Sequence, residues 1–300
     1  MIRPAEHDWF RPVSNHHTDP RAHAIESRSI AARERALTEG LRDIQAQMEL
    51  AGRLQRDLLT GPIPEVHGAN IAALFRPASL LSGDLFRVKR IGDTQIAITL
   101  IDPTGHGLPA AMLSMYTNAL VEAGGSPGAA NPAALLDDLN RALVESQLED
   151  CFFLAALHAV YDESTCIIRW ARGGVPYPIL SRAAGLSLRD PGRQTAQRIE
   201  SVGGLVGTVA ETKFEVTQLQ LEPGDRILFH TDGLDALLLG ADVTRMDAAP
   251  MDHPWISSLH QSSLQSRLDM LDEQIDATPT TEWQTDDVTV VALEVSPEAV

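Results

Sequence analysis

Residues 96–107, Ile96-Ala97-Ile98-Thr99-Leu100-Ile101-Asp102-Pro103-Thr104-Gly105-His106-Gly107, run from an apolar stretch into an acid, a proline and two glycines. An apolar run of strand length that ends in turn formers reads as a buried strand. Gly105 and Gly107 let the backbone turn tightly, and Leu108-Pro109-Ala110-Ala111 opens a helix, giving a helical pattern over 107–123. Working outward, strand patterns at 69–75 and 95–101 flank a more polar one at 83–90. A second helical pattern at 132–146 is opened by Asn131-Pro132. Strand-like runs follow at 152–161, 165–171, 214–220 and 225–230, then a helix across 255–276, and Val288–Val295 closes the chain as a strand. The remainder of 240–285 is polar with weak patterns. Strands that arrive in adjacent pairs, not alternating with helices, favour an α+β fold over a doubly wound one.

Composition narrows the function. With 300 residues and 44% hydrophobic content the chain has material for a substantial core, which excludes wholesale disorder. A net charge of −17 argues against a nucleic-acid partner, because nothing offsets repulsion from phosphate. No apolar run approaches the roughly 18–20 residues of a membrane helix, and charged and polar residues crowd the first thirty positions. Neither a membrane span nor a signal peptide is expected, and the reading is cytoplasmic. Cys151 and Cys166 lie in apolar, strand-like segments and are expected as buried free thiols.

Residues 1–23, with His7, His16, His17 and His23 among polar neighbours, read as a disordered leader. Residues 24–60 read as an amphipathic, coiled-coil-like helix on which Ile30, Leu37, Leu41, Ile44, Met48, Ala51 and Leu58 form a seam. Such a helix either dimerises or folds back on its own domain; dimerisation is the expectation, and a separate regulatory protein could also bind there. Gly40 and Gly52 should each weaken it by about 1 kcal/mol relative to Ala. Gly61-Pro62-Ile63-Pro64 cannot continue a helix, so a domain of residues 61–300 begins there.

Acids recur where apolar runs meet loops: Asp84 in Ser82-Gly83-Asp84, Asp102 after Ile101, Asp232 after Thr231, and Asp286-Asp287 before Val288. Gathered together they would repel one another unless a cation neutralised them. Oxygen ligands without clustered Cys or His suit Mg²⁺ or Mn²⁺ over Zn²⁺. Singly, each is an ordinary turn or cap acid.

In order, Ser82-Gly83-Asp84-Leu85-Phe86, the 102–111 stretch, Leu221-Glu222-Pro223-Gly224-Asp225 with Thr231-Asp232-Gly233, and Asp286-Asp287-Val288-Thr289 form a series. That series resembles the bacterial sporulation-phosphatase (SpoIIE) type of the protein phosphatase 2C (PPM) family. The likeness covers about residues 45–295, including Met48-Glu49-Leu50-Ala51 through Gln55 to Leu58-Leu59. It implies two packed antiparallel sheets flanked by helices. It implies, too, two Mn²⁺ or Mg²⁺ ions, bridged by Asp102, with the Pro103 carbonyl on one, Asp232 and Asp286 on the other, and Asp84 completing the pair directly or through water. Asp287 matches a position outside the ligand set. Such ions lower the pKa of a water and offset phosphoryl charge, so no covalent nucleophile is required.

The implied activity is hydrolysis of phosphoserine or phosphothreonine on a signalling protein, an anti-sigma-factor antagonist by family habit. A partner-binding module with little catalysis and a hydrolase of small phosphoesters are the rivals. His106 could give a proton to the leaving group but reads first as a local loop histidine, His230 as a core histidine, and Asp235 as a helix cap. Ser82, Pro103 and Arg172-Gly173-Gly174-Val175-Pro176 depart from the family pattern, and the loss of a histidine at Val175 puts substrate contacts in doubt.

Overall fold

The computed structural model describes residues 20–59, 61–123, 129–146, 152–183, 196–239, 251, 253–278 and 286–297. By contacts the chain divides into two units, Met1–Met48 and Glu49–Val300. Helix α1, Pro20–Leu59, runs through that division. It begins before the expected residue 24, so the last residues of the expected leader are helical; residues 1–19 lie outside the described ones. Its last turns belong to the second unit, which therefore starts earlier than the proline-rich boundary suggested. Gly52, Gln55 and Leu59 are buried there. A Cβ at Gly52 would lie 2.0 Å from the Leu80 carbonyl oxygen, so the glycine that weakens the helix is also what lets its backbone approach that loop.

The second unit contains two five-stranded antiparallel sheets. Strands β1 (Ala69–Arg76), β6 (Ile179–Ser181), β7 (Ala196–Arg198), β9 (Arg226–His230) and β10 (Val288–Val295) form one, in the order β1-β10-β9-β6-β7. Strands β2 (Leu85–Arg90), β3 (Gln95–Pro103), β4 (Leu154–Asp162), β5 (Ile167–Gly173) and β8 (Thr217–Gln220) form the other, in the order β2-β3-β4-β5-β8. Alternation along the strands sorts the apolar residues into three cores. Val291, Leu293, Phe229, Ile98, Leu100 and Trp170 lie between the sheets. Val288, Val290, Ala292 and Leu228 face the other way, beneath α4 (Asp232–Leu239) and α6 (Leu264–Ala277). Leu85, Ile101 and Ala156 face α2 (Leu108–Ala123) and α3 (Pro132–Glu145). Helices on both outer faces explain why β3, β9 and β10 read as continuous apolar runs: both faces of each strand are covered.

Local chemistry sets the ends. Asn131 caps α3, its side chain accepting from the amides of Ala133 and Ala134, with Pro132 in the first turn. The helix expected across 255–276 is broken into α5 (Pro254–Ser257), a 3₁₀ turn at Leu259–Gln261, and α6. Ser263 caps α6 afresh, and the Arg226 guanidinium donates to the carbonyls of Leu259 and Ser262 in the break. Cys166 is a correction: it is half-buried in the β4–β5 turn at φ 52°, not buried in a strand. Cys151 lies outside the described residues. Among the described residues no helix is long and apolar enough to cross a membrane.

Candidate metal centre

The pairing registers bring the acids to one end of the two sheets. Leu85 pairs with Ile101, so the preceding Asp84 lies across from Asp102 at the end of β2 and β3. In the other sheet Val290 pairs with His230, and the Thr231 amide donates to the Thr289 carbonyl at 3.0 Å. Asp232 and Asp286 therefore follow and precede neighbouring strands at one edge. The Thr231 hydroxyl (2.8 Å) and the Thr289 hydroxyl both donate to the same oxygen of Asp84, Oδ2, tying the sheets together at this end.

Asp84 is 1% exposed and sits in a loop held from several sides. Asp287 Oδ2 accepts from the Ser82 hydroxyl at 2.8 Å and from the amides of Gly83 at 2.6 Å and Asp84 at 3.3 Å; its Oδ1 accepts from the Ala78 amide at 2.7 Å. Those four donors occupy Asp287, which thus organises the loop. The Ser114 hydroxyl, buried on α2, donates to the Gly83 carbonyl. Gln55 of α1 pairs its amide with the backbone of Ser82, accepting at 2.9 Å and donating at 2.7 Å. Sequence reasoning passed over Gln55 and Ser114. The family-like run through Gln55 was visible, but nothing in it said which polar residue turns inward.

Gly105 and Gly107 have φ of 93° and 72°, a region that L side chains rarely enter, so the loop after Asp102 is specified as the sequence suggested. Exposed His106 lines a cavity of about 190 Å³ with Ala78, Ser79, Leu81, Gly107, Asp286 and Asp287. Asp232 is the first residue of α4; Gly233 follows it because a Cβ there would stand 2.0 Å from the Asp287 carbonyl oxygen. His230 is buried with Nδ1 3.0 Å from the Thr231 carbonyl oxygen, and burial pushes its pKa down. Asp235 lies in the first turn of α4, 3.9 Å from His230 Nδ1 and 3.7 Å from the Arg198 guanidinium. Val175 is 1% exposed within the inter-sheet core, and its carbonyl accepts from Arg172, so this departure serves packing at that turn.

Electrostatics mark the acids as a group. Burial, then repulsion from Asp102 and Asp287, holds the Asp84 carboxyl well above the usual carboxylate range, although the Thr289 and Thr231 hydroxyls pull it back. Burial, followed by the charges of Asp232, Asp286 and Asp287, pushes Asp102 up to about 8. Asp286 rises to about 6, from burial first and Asp232 next. Among the described residues, no three His, Cys, Asp or Glu side chains already stand as a closed metal cage. The donor set nonetheless fits a hard divalent ion. It offers carboxylate oxygens at one end of the two sheets, where burial and neighbouring charge disfavour the anions of Asp84, Asp102 and Asp286, and a cation would remove that penalty. Pro103 follows Asp102 at the end of β3, bringing a backbone carbonyl to the same edge.

Comparison with known proteins agrees with this architecture. The profile of the family described as Stage II sporulation protein E (SpoIIE) matches residues 92–296. The chain is 25% identical over 202 residues to phosphoserine phosphatase RsbU of Bacillus subtilis (strain 168), covering 64% of this chain and 54% of RsbU. It thus spans about half the length of that relative. The SiaA-PP2C domain of Pseudomonas aeruginosa shares the fold with a TM-score of 0.67 and 18% identity, over 85% of this chain and 98% of that one. RsbX in complex with magnesium does so with a TM-score of 0.55 and 17% identity, over 78% and 99%.

Proposed function

The chain belongs to the stage II sporulation protein E family, and from that premise we propose that it is a metal-dependent serine/threonine protein phosphatase. Its substrate would be phosphoserine or phosphothreonine on a bacterial signalling protein, with an anti-sigma-factor antagonist as the favoured class. The observation that carries the reading is the gathering of Asp84, Asp102, Asp232 and Asp286 at one end of the two sheets, where burial and neighbouring charge hold Asp84, Asp102 and Asp286 above the usual carboxylate range and a cation would relieve them.

Asp84, Asp102, Asp232, Asp286 and the Pro103 carbonyl would hold two Mn²⁺ or Mg²⁺ ions; the complex of RsbX with magnesium supports the class of ion. Bound there, the ions would supply an activated water and offset charge on the phosphoryl oxygens. The chain's own part is to orient. Thr231 and Thr289 fix one oxygen of Asp84, leaving the other for a ligand. Asp287 holds the loop that carries Asp84, and Gly105 and Gly107 turn the backbone clear beside Asp102. His106 lines a cavity with Asp286 and Asp287 and reads first as a local loop histidine, with proton donation to the leaving group as its second reading.

Helix α1 would carry the assembly and regulatory function. Ile30, Leu37, Leu41 and Ile44 are 50–66% exposed along one seam, and a second copy of the helix would bury them. A homodimer through this helix, open to a regulatory protein, is the favoured arrangement. The catalytic reading is tested by phosphate release from a phosphoserine protein against free phosphoserine, with and without Mn²⁺. Metal-dependent release that prefers the protein supports it; equal release from both favours a small-phosphoester hydrolase, and none by folded protein a binding module.

A further inference from the structure

We propose that Gln55, near the end of α1, is a positioning residue for Asp84 and thereby sets the affinity of the acidic centre for its divalent ion. The inference rests on the phosphatase reading of that centre. Gln55 is 5% exposed, and its amide makes a two-point pair with Ser82: Oε1 accepts from the Ser82 N–H at 2.9 Å and Nε2 donates to the Ser82 carbonyl at 2.7 Å.

The consequence lies in the peptide planes that follow. The Ser82–Gly83 peptide is gripped at both ends, its carbonyl by Gln55 and its N–H by Asp287 at 2.6 Å. The next plane, Gly83–Asp84, is gripped likewise, its carbonyl by Ser114 and its N–H by Asp287 at 3.3 Å. Two consecutive planes fixed at both ends leave the Asp84 Cα almost no freedom, so its carboxylate is presented in one orientation. Three of these grips come from Asp287, just before β10, and Ser114 on α2. Gln55 alone comes from α1, whose Gly52 lies against the Leu80 carbonyl of the same loop. A change in the pitch or docking of the last turns of α1 would therefore reach Asp84 through one rigid peptide, whose other end is held by Asp287.

Removing the Gln55 amide leaves a buried N–H and carbonyl on Ser82 unpaired, and the loop must shift to find partners. The test is Gln55→Met, which keeps the length of the side chain and loses both hydrogen bonds, in the full chain. Mn²⁺ affinity is measured by calorimetry, hydrolysis of an aryl phosphate as a function of Mn²⁺, and folding by the thermal midpoint without metal. The expected result is a folded protein whose Mn²⁺ dissociation constant rises about tenfold or more, with turnover recovering to within about threefold at saturating Mn²⁺. Gln55→Glu, which keeps the acceptor for the Ser82 N–H, should fall between wild type and Gln55→Met, and it carries the comparison if Gln55→Met does not fold. A merely structural glutamine would lower the midpoint or the active fraction and leave the dissociation constant alone, and that result overturns the proposal. Wild type that binds no Mn²⁺ would instead remove the phosphatase reading on which it stands.

Discussion

Asp287 looks like a fifth member of the acidic group in the sequence, yet its four accepted hydrogen bonds make it the fastener of the 78–84 loop. Asp287→Ala should leave several buried amides unpaired and destabilise the chain by about 3 kcal/mol, read by urea unfolding without metal. Asp102 should behave in the opposite way. Its carboxyl pKa, pushed up to about 8, means the folded state holds a proton that the unfolded chain gives up. Its contribution to stability is therefore lost as pH rises from about 4 to about 8. Asp102→Asn should stabilise the metal-free protein at pH 8, on the order of 1–3 kcal/mol, while removing the stabilisation that Mn²⁺ gives to wild type. If the variant is less stable than wild type without metal at pH 8, the repulsion argument is wrong. The acids themselves were legible in the sequence because each sits at a strand end. Gln55 and Ser114, which hold the Ser82-Gly83 backbone before Asp84, were not, since a polar residue on a helix declares its burial only once the loop it meets is known.

At the scale of elements, periodicity located the long strands and helices, and it failed where an element is too short to show a period. The three-residue strands β6 and β7 went unseen, and the 255–276 pattern concealed a break that Ser263 and Arg226 create by competing for backbone groups. The β3–β4 pair carries a pH-sensitive element. His158 on β4 lies opposite Thr99 on β3, with Nδ1 2.8 Å from the Thr99 hydroxyl and Nε2 2.8 Å from the Ala129 carbonyl oxygen. A neutral ring donating from Nε2 and accepting at Nδ1 satisfies both. Burial depresses its pKa to about 4, so the stability it contributes is present above pH 6.5 and lost as pH falls towards 4. His158→Gln should shrink the loss of unfolding free energy between pH 7 and pH 4.5 by about 2–3 kcal/mol. An unchanged loss in the variant would place the acid sensitivity elsewhere. The junction of α4 with β10 is equally specific: Gly233→Ala drives a methyl group into the Asp287 carbonyl and should cost at least about 2 kcal/mol by thermal unfolding. A neutral effect would show that α4 can shift.

For the whole molecule, the α+β class was legible because strands came in adjacent pairs, and the two packed sheets between helices were what the family resemblance of the acidic turns implied. The division of the chain was less so. Proline at 62 and 64 marks where α1 must stop, whereas the buried Gly52, Gln55 and Leu59 assign its last turns to the second unit. The exposed seam before them predicts that Leu41→Asp with Met48→Asp leaves a monomer by analytical ultracentrifugation; a double variant that still sediments as a dimer refutes assembly through α1. The central claim, that the gathered acids hold the ions that do the chemistry, is tested most directly by hydrolysis of an aryl phosphate. Wild type, Asp102→Asn and Asp232→Asn are compared with and without Mn²⁺. The account predicts turnover that requires Mn²⁺ and falls by several orders of magnitude in both variants. Turnover independent of the metal, or retained in both variants, would contradict it.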